Sequence, residues 1–143
     1  MSRTKELKNA IVNILKSSPL VNDKIKIYST LYPETEEQKE DIYMKAKNTD
    51  ASIYVTYSGK KYDEASAHTY KVFEALSIFI FSKVLKEDDS NPLDIEVLID
   101  NITDVLHQQG YTLFEDGVRP VKDNKTGLYE AVLIIGKATV YPK

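Results

Sequence analysis

The sequence predicts an α+β fold: a mostly antiparallel sheet of about five strands with two amphipathic helices packed against it, in the order α-β-β-β-α-β-β. Three observations predict it. The longest apolar run, His68 to Val84, is apolar on both faces when read at period two. Tyr70, Val72, Leu76, Ile78, Ile80 and Val84 share one face, interrupted by Glu74 and Ser82, and Phe73, Ala75, Ser77, Phe79 and Phe81 share the other. Such a strand belongs in the middle of a sheet, with something covering each side. Val72, Phe73, Leu76, Phe79, Ile80 and Val84 also recur at helical spacing, but the dominance of Val, Ile and Phe selects a strand. The run is too short and too often interrupted to cross a membrane. The second observation is a pair of apolar stripes at three-and-four spacing near positions 3–17 and 93–108. The third is a set of alternating segments on either side of the central run.

Taken in order, residues 3–17 form the first helix, with Leu7, Ile11, Ile14 and Leu15 on one stripe and Arg3, Lys5, Lys8 and Lys16 off it. Ser2 caps its start and Ser17-Ser18-Pro19 ends it. Lys24 to Leu31 alternates as a half-exposed strand. Pro33 to Asp50 is polar, with Ile42, Tyr43 and Met44 as its only substantial apolar residues, and is expected to be a mobile excursion holding at most a short helix. Ala51 to Tyr57 is a strand, Ser58-Gly59 punctuates it, and Lys60 to Ala67 is expected to be a hairpin loop into the central strand. After an acidic break at 86–90, Asn91 is expected to cap the second helix, with Pro92 at its first position and Asp94 completing an approximate capping box. Ile95, Leu98, Ile99, Ile102, Val105 and Leu106 make its stripe, and Gly110 stops it. A strand from Tyr111, interrupted at Asp116-Gly117 and resuming through Val118 to Val121, then leads by the turn Asp123–Gly127 into a last strand, Leu128 to Tyr141. Gly136 is a candidate bulge or close contact within it. No linker divides the chain, so residues 1–143 are expected to form a single domain.

Composition narrows the function classes. There are no cysteines, which removes disulfides, thiolate metal sites and cysteine nucleophiles. The N-terminus begins as a polar helix rather than a charged and then apolar leader, so action in a cytoplasm is expected. A net charge of −3 argues against a general nucleic-acid binder. The charge is segregated: residues 1–26 hold six Lys or Arg against two acids, and residues 86–104 hold seven acids against one Lys. Two readings fit this, solvated helix faces or complementarity that registers an assembly.

The catalytic inventory is nearly empty. The five glycines are too scattered for a phosphate-binding loop, and His68 and His107 lack metal-spaced partners. Glu37-Gln38-Lys39 matches half of a metal-dependent nuclease signature, but in a polar segment rather than on a core strand. No catalytic residue, cofactor site or metal site is therefore expected. Ten tyrosines against no tryptophan is unusual. Strand packing accounts for most, and Tyr43, Tyr57 and Tyr62 are assigned to a protein interface, for which tyrosine's large area and few rotors suit it. Asp94, Glu96, Asp100 and Asp104 lie off the second helix's stripe and are assigned to the same role, with a loosely held cation as an alternative.

The order of elements resembles the tail-terminator or tail-completion proteins of long-tailed phages, especially the small family carried by Mu-like prophages. A short N-terminal helix, a strand, a polar excursion and the strand Ala51-Ser52-Ile53-Tyr54-Val55 come first. The long strand Tyr70 to Phe81, the helix Leu93 to Gln108 and a closing hairpin ending at Gly136–Tyr141 follow. The resemblance implies a structural role and no enzymatic one. Copies assembled in a bacterial cytoplasm would form a ring, a hexamer, at the head-proximal end of the virion tail. That ring would cap the tail tube and join it to the neck, with no direct nucleic-acid specificity and no membrane. The competing readings are an interaction adaptor unrelated to phage, and a small enzyme or ligand-binding domain using a helix–sheet pocket with His68 or His107 and a carboxylate.

Overall fold

A computed structural model describes residues 2–21, 23–85, 91–113 and 118–143. Among them are three helices and six strands: α1 (Arg3–Ser17), β1 (Lys26–Ser29), α2 (Glu36–Ala46), β2 (Ala51–Ser66), β3 (Thr69–Ser82), α3 (Ile95–Gln108), β4 (Thr112–Leu113), β5 (Val121–Lys122) and β6 (Tyr129–Pro142). The strands make one sheet in the order β1-β2-β3-β6-β4, with β5 also paired to β6. β1 runs parallel to β2 and every other pairing is antiparallel. The expected α+β class stands, and the 68–84 run is the central strand. The acidic break over 86–90 and the interruption at Asp116-Gly117 lie outside the described residues.

Both faces of β3 are covered, by different means. Leu76, Ile78 and Ile80 join Ile53 and Val55 of β2 and Leu133 and Ile135 of β6 on one face. They pack against Ile11 and Leu15 of α1 and the whole stripe of α3, and this is the main core. Phe79 and Phe81 face the other way, with Tyr54 of β2, and meet Ile42, Tyr43 and Ala46 of α2.

That second cover corrects the expectation of a mobile excursion over 33–50. Thr35 Oγ1 accepts from the Gln38 amide at 3.1 Å, and Gln38 Oε1 accepts from the Thr35 amide at 3.2 Å and the Glu34 amide at 2.8 Å. This reciprocal capping box, with Glu36 and Glu37 set against the positive helix end, starts a helix whose apolar residues are few. A cap of this kind contributes about 1 kcal/mol, and the aromatic face of the sheet supplies the packing that the helix's own composition lacks.

Four further expectations are corrected. The cap of α3 is Asp94, not Asn91: Asp94 Oδ1 accepts from the Glu96 amide at 2.9 Å. Residue 94 is bridged to Val84, and Val84 O accepts from the Ile95 amide at 2.9 Å, so the chain stays extended until the sheet releases it. Asn91 instead accepts from the Leu93 amide at 3.0 Å, shaping the approach. Of the expected loop Lys60 to Ala67, all but Ala67 is strand, because β3 extends far enough to pair with it up to the tight turn Ala67-His68. Among the described residues, the strands expected at 111–114 and 118–121 are the two-residue β4 and β5 beside β6, with residue 114 outside the described residues. Gly136 makes no bulge, since β3 and β6 keep one register through the pair Ala75–Gly136.

Candidate interaction surfaces

Beyond Tyr57, Glu74 and Gly136 the three long strands continue as a ribbon outside the main core, in which Val72 is still buried. Residues 137–140 are all exposed, and Tyr62 and Val140 are 64% and 55% accessible. Tyr70 is directly paired with Tyr141, and their rings stack with centroids 5.4 Å apart. Tyr62, one diagonal step away on β2, lies 6.4 Å from Tyr70. These three rings form a row on the same sheet face as α1 and α3.

A bulge makes that row possible. Ile53, Val55 and Tyr57 pair with Ile80, Ile78 and Leu76, so odd-numbered residues of β2 face the helices up to position 57. The register then shifts between Tyr57 and Gly59, leaving Ser58 as the extra residue. From there even-numbered residues take the helix side, and Tyr62 pairs with Val72. Gly59 takes φ 133° at the shift, a conformation that glycine adopts freely and other residues rarely do.

The ribbon is tied down at its root. Arg3 donates from Nε and Nη2 to Glu74 Oε1 at 2.9 and 2.6 Å, and Tyr57 Oη donates to Glu74 Oε2 at 3.5 Å. The hydrogen bond and charge of Glu74 raise the Arg3 pKa, while burial, then Glu74, raises that of Tyr57. Tyr57 is thus spent in intramolecular packing, whereas Tyr62 is presented to solvent.

On α3, Glu96, Asp100 and Asp104 are all exposed at i, i+4, i+8 and so form one row. Neither of the ion pairs Arg3–Glu74 and Lys39–Glu36 involves this row. Like charges at that spacing cost a helix a few tenths of a kcal/mol per pair, roughly 0.2–0.5. Asp94 is different: at 1% accessibility and committed to the cap, it presents no charge outward.

Tyr43, the remaining predicted residue, closes a cleft of about 260 Å³ between α2 and the sheet. Its hydroxyl donates to Glu130 Oε2 at 2.8 Å, and its ring stands edge-on to Phe81 at 5.6 Å. Burial raises the Glu130 pKa; the Tyr43 hydrogen bond partly offsets this and Asp123 adds to it. Burial and the Glu130 carboxylate likewise raise Tyr43. Neither histidine contributes: His68 sits exposed at the hairpin turn and His107 exposed on α3.

The sequence reading missed Tyr70 and Tyr141 as partners of Tyr62, because their alignment depends on the Ser58 bulge. It also missed Glu130, for which a signal existed. Glu130 shares the strand parity of Val132 and Ile134, a carboxylate set among apolar residues on one face.

No protein-family model matches the chain, and no curated protein matches it. Among the described residues, no helix is long and apolar enough to cross a membrane.

Proposed function

We propose that the protein is a structural assembly subunit and not an enzyme, working as the tail terminators it resembles do. Copies form a ring, a hexamer, that caps the tail tube in the virion and joins it to the neck. The observation that carries this reading is the distribution of charge across the helical layer. α1 lies over β1 and β2, whereas α3 lies over β3, β4 and β6, so the two helices occupy opposite flanks. The exposed Lys5 and Lys16, with Glu6 between them, stand on one flank and the exposed row Glu96, Asp100 and Asp104 on the other. Opposite charges on opposite sides suit a head-to-tail contact, which closes into a ring when the rotation between copies allows it. The Tyr62-Tyr70-Tyr141 row, with Tyr62 exposed and the other two rings half-buried, adds a second surface of the kind favoured at interfaces.

The test is molar mass in solution at low and high salt, with and without tail-tube protein. A ring-sized species that dissociates in salt, or that forms only with tube protein, is the expected result. A strict monomer under every condition would defeat the proposal. A second reading, a ligand-binding domain, draws support from the cleft at Tyr43 and Glu130.

A further inference from the structure

The cleft under α2 has a chemical character of its own, independent of ring assembly. Phe79, Phe81, Val132 and Ile134 line its sheet side, and Tyr32 stands at its mouth with its ring 6.1 Å from that of Phe79. Into this apolar lining the sheet sets one carboxylate, Glu130. Oε2 is held by Tyr43, while Oε1 has no hydrogen-bond partner among the described residues. Lys39 lines the cleft too, but its ammonium is turned to Glu36 at 3.6 Å, makes no ion pair with Glu130, and is the weakest of the influences on it. The other charges bearing on the pair are acidic: Asp123 acts on both Glu130 and Tyr43, and Glu36 acts on Tyr43.

We propose that this cleft binds a primary alkylammonium cation, with Glu130 as its counter-ion. Each feature of the site selects for that chemistry. An anion would meet Glu130, with the charge of Asp123 adding to the repulsion. A neutral apolar ligand would strip more water from a carboxylate already short of partners, which is costly. An ammonium on a methylene chain places the chain along Val132 and Ile134 and the charge against the ring faces and Oε1, where aromatic walls and a carboxylate act together. One free carboxylate oxygen offers a single acceptor, which suits the point charge of an ammonium better than the two-pronged guanidinium fork. The volume is that of a side-chain-sized ligand rather than a cofactor.

The test is a titration of the isotope-labelled full chain, followed through the methyl signals of Val132 and Ile134. The probes are n-butylammonium, the N-acetyl methylamide of lysine and, as a neutral control, n-pentanol. Both cations are expected to shift these methyls in a saturable way. Glu130→Gln should weaken binding about tenfold or more, the scale of one charge-assisted hydrogen bond. Wild-type binding should also fade as pH drops through the raised Glu130 pKa, a readout that needs no variant. Groups facing Glu130 from the neighbouring elements are Tyr43 and Lys39 on α2 and Asp123 in the β5–β6 turn. Tighter binding of the lysine derivative would indicate a side chain from a partner protein, and equal binding a free amine. Equal affinity for n-pentanol, an undiminished Glu130→Gln response, pH-independent binding, or no methyl shifts at saturating amine would each overturn the assignment. Because the readout is local to the cleft, failure here leaves the solution-mass test of the ring untouched.

Discussion

Arg3 and Glu74, 71 positions apart, are joined by two hydrogen bonds to one carboxylate oxygen, at 2.6 and 2.9 Å. The contact holds the first turn of α1 to the point on β3 where the sheet leaves the helical layer. Glu74 is buried while the Arg3 side chain keeps 55% of its accessibility, so solvent screens the pair on one side only.

A double-mutant cycle on that pair is the direct check. Arg3→Ala strands a buried carboxylate and should lower the thermal midpoint, and adding Glu74→Gln should recover part of the loss. Strictly additive effects would show that the two side chains do not act together. Amide exchange in residues 69–73 should quicken in Arg3→Ala before it does in the core of β3.

Gly59→Ala addresses the bulge. A Cβ at this position would meet nothing within 4 Å, so any cost comes from the backbone, held at φ 133°. The expected loss is about 1–3 kcal/mol by urea unfolding. A loss-free substitution would mean that the strand resets its register, and Tyr62 would then lose its place beside Tyr70. Deleting Ser58 should separate Tyr62 from Tyr70 while sparing the core pairs at 51–57, which chemical shifts of the two rings would report.

Glu130 gives the chain a pH dependence of definite sign. Its folded-state pKa is raised, chiefly by burial, so between the unfolded and folded values the folded state holds more proton than the unfolded state. Its contribution to stability is therefore fully present below the unfolded glutamate value and is lost as pH rises through the raised folded value. Glu130→Gln, which can still accept from Tyr43, should flatten that dependence. The variant should be more stable than the wild type above the window, with the difference closing towards acid. Parallel stability–pH curves for the two proteins would contradict the burial argument.

Reversing the exposed acids tests the interface without touching the fold. Glu96→Lys, Asp100→Lys and Asp104→Lys together should abolish or weaken assembly while leaving the circular dichroism and melting of the subunit near wild type. Asp94 must be kept. Its side chain caps α3 from a buried position, and Asp94→Lys would bring a misfolding cost of its own. Unchanged assembly in the triple variant would leave the row as a solvated helix face.

Much of the fold was legible because local periodicity reports which residues are buried. Alternation over 68–84 identified the central strand with both faces committed, and the stripe from Ile95 to Leu106 identified α3. The extent of α2 was not legible from its polar composition: the partners that pack on Ile42, Tyr43 and Ala46 include aromatic residues of β2 and β3, far off in sequence. The site was less legible. Tyr43 and Tyr62 could be singled out as tyrosines in polar surroundings, yet nothing local tells that one faces inward to Glu130 and the other outward to solvent.

By itself, the sequence determined the central strand, two of the three helices and the segregation of charge. It did so because apolar spacing and capping chemistry act within a few residues. Tertiary structure alone decided what each face meets. It turned α2 into a lid over the aromatic face, let the reach of β3 convert an expected loop into strand, and used Ser58 to place three tyrosines in one row. It also brought Arg3 to Glu74 and Tyr43 to Glu130, since contacts across 71 and 87 positions are set by register and packing, which no local pattern encodes.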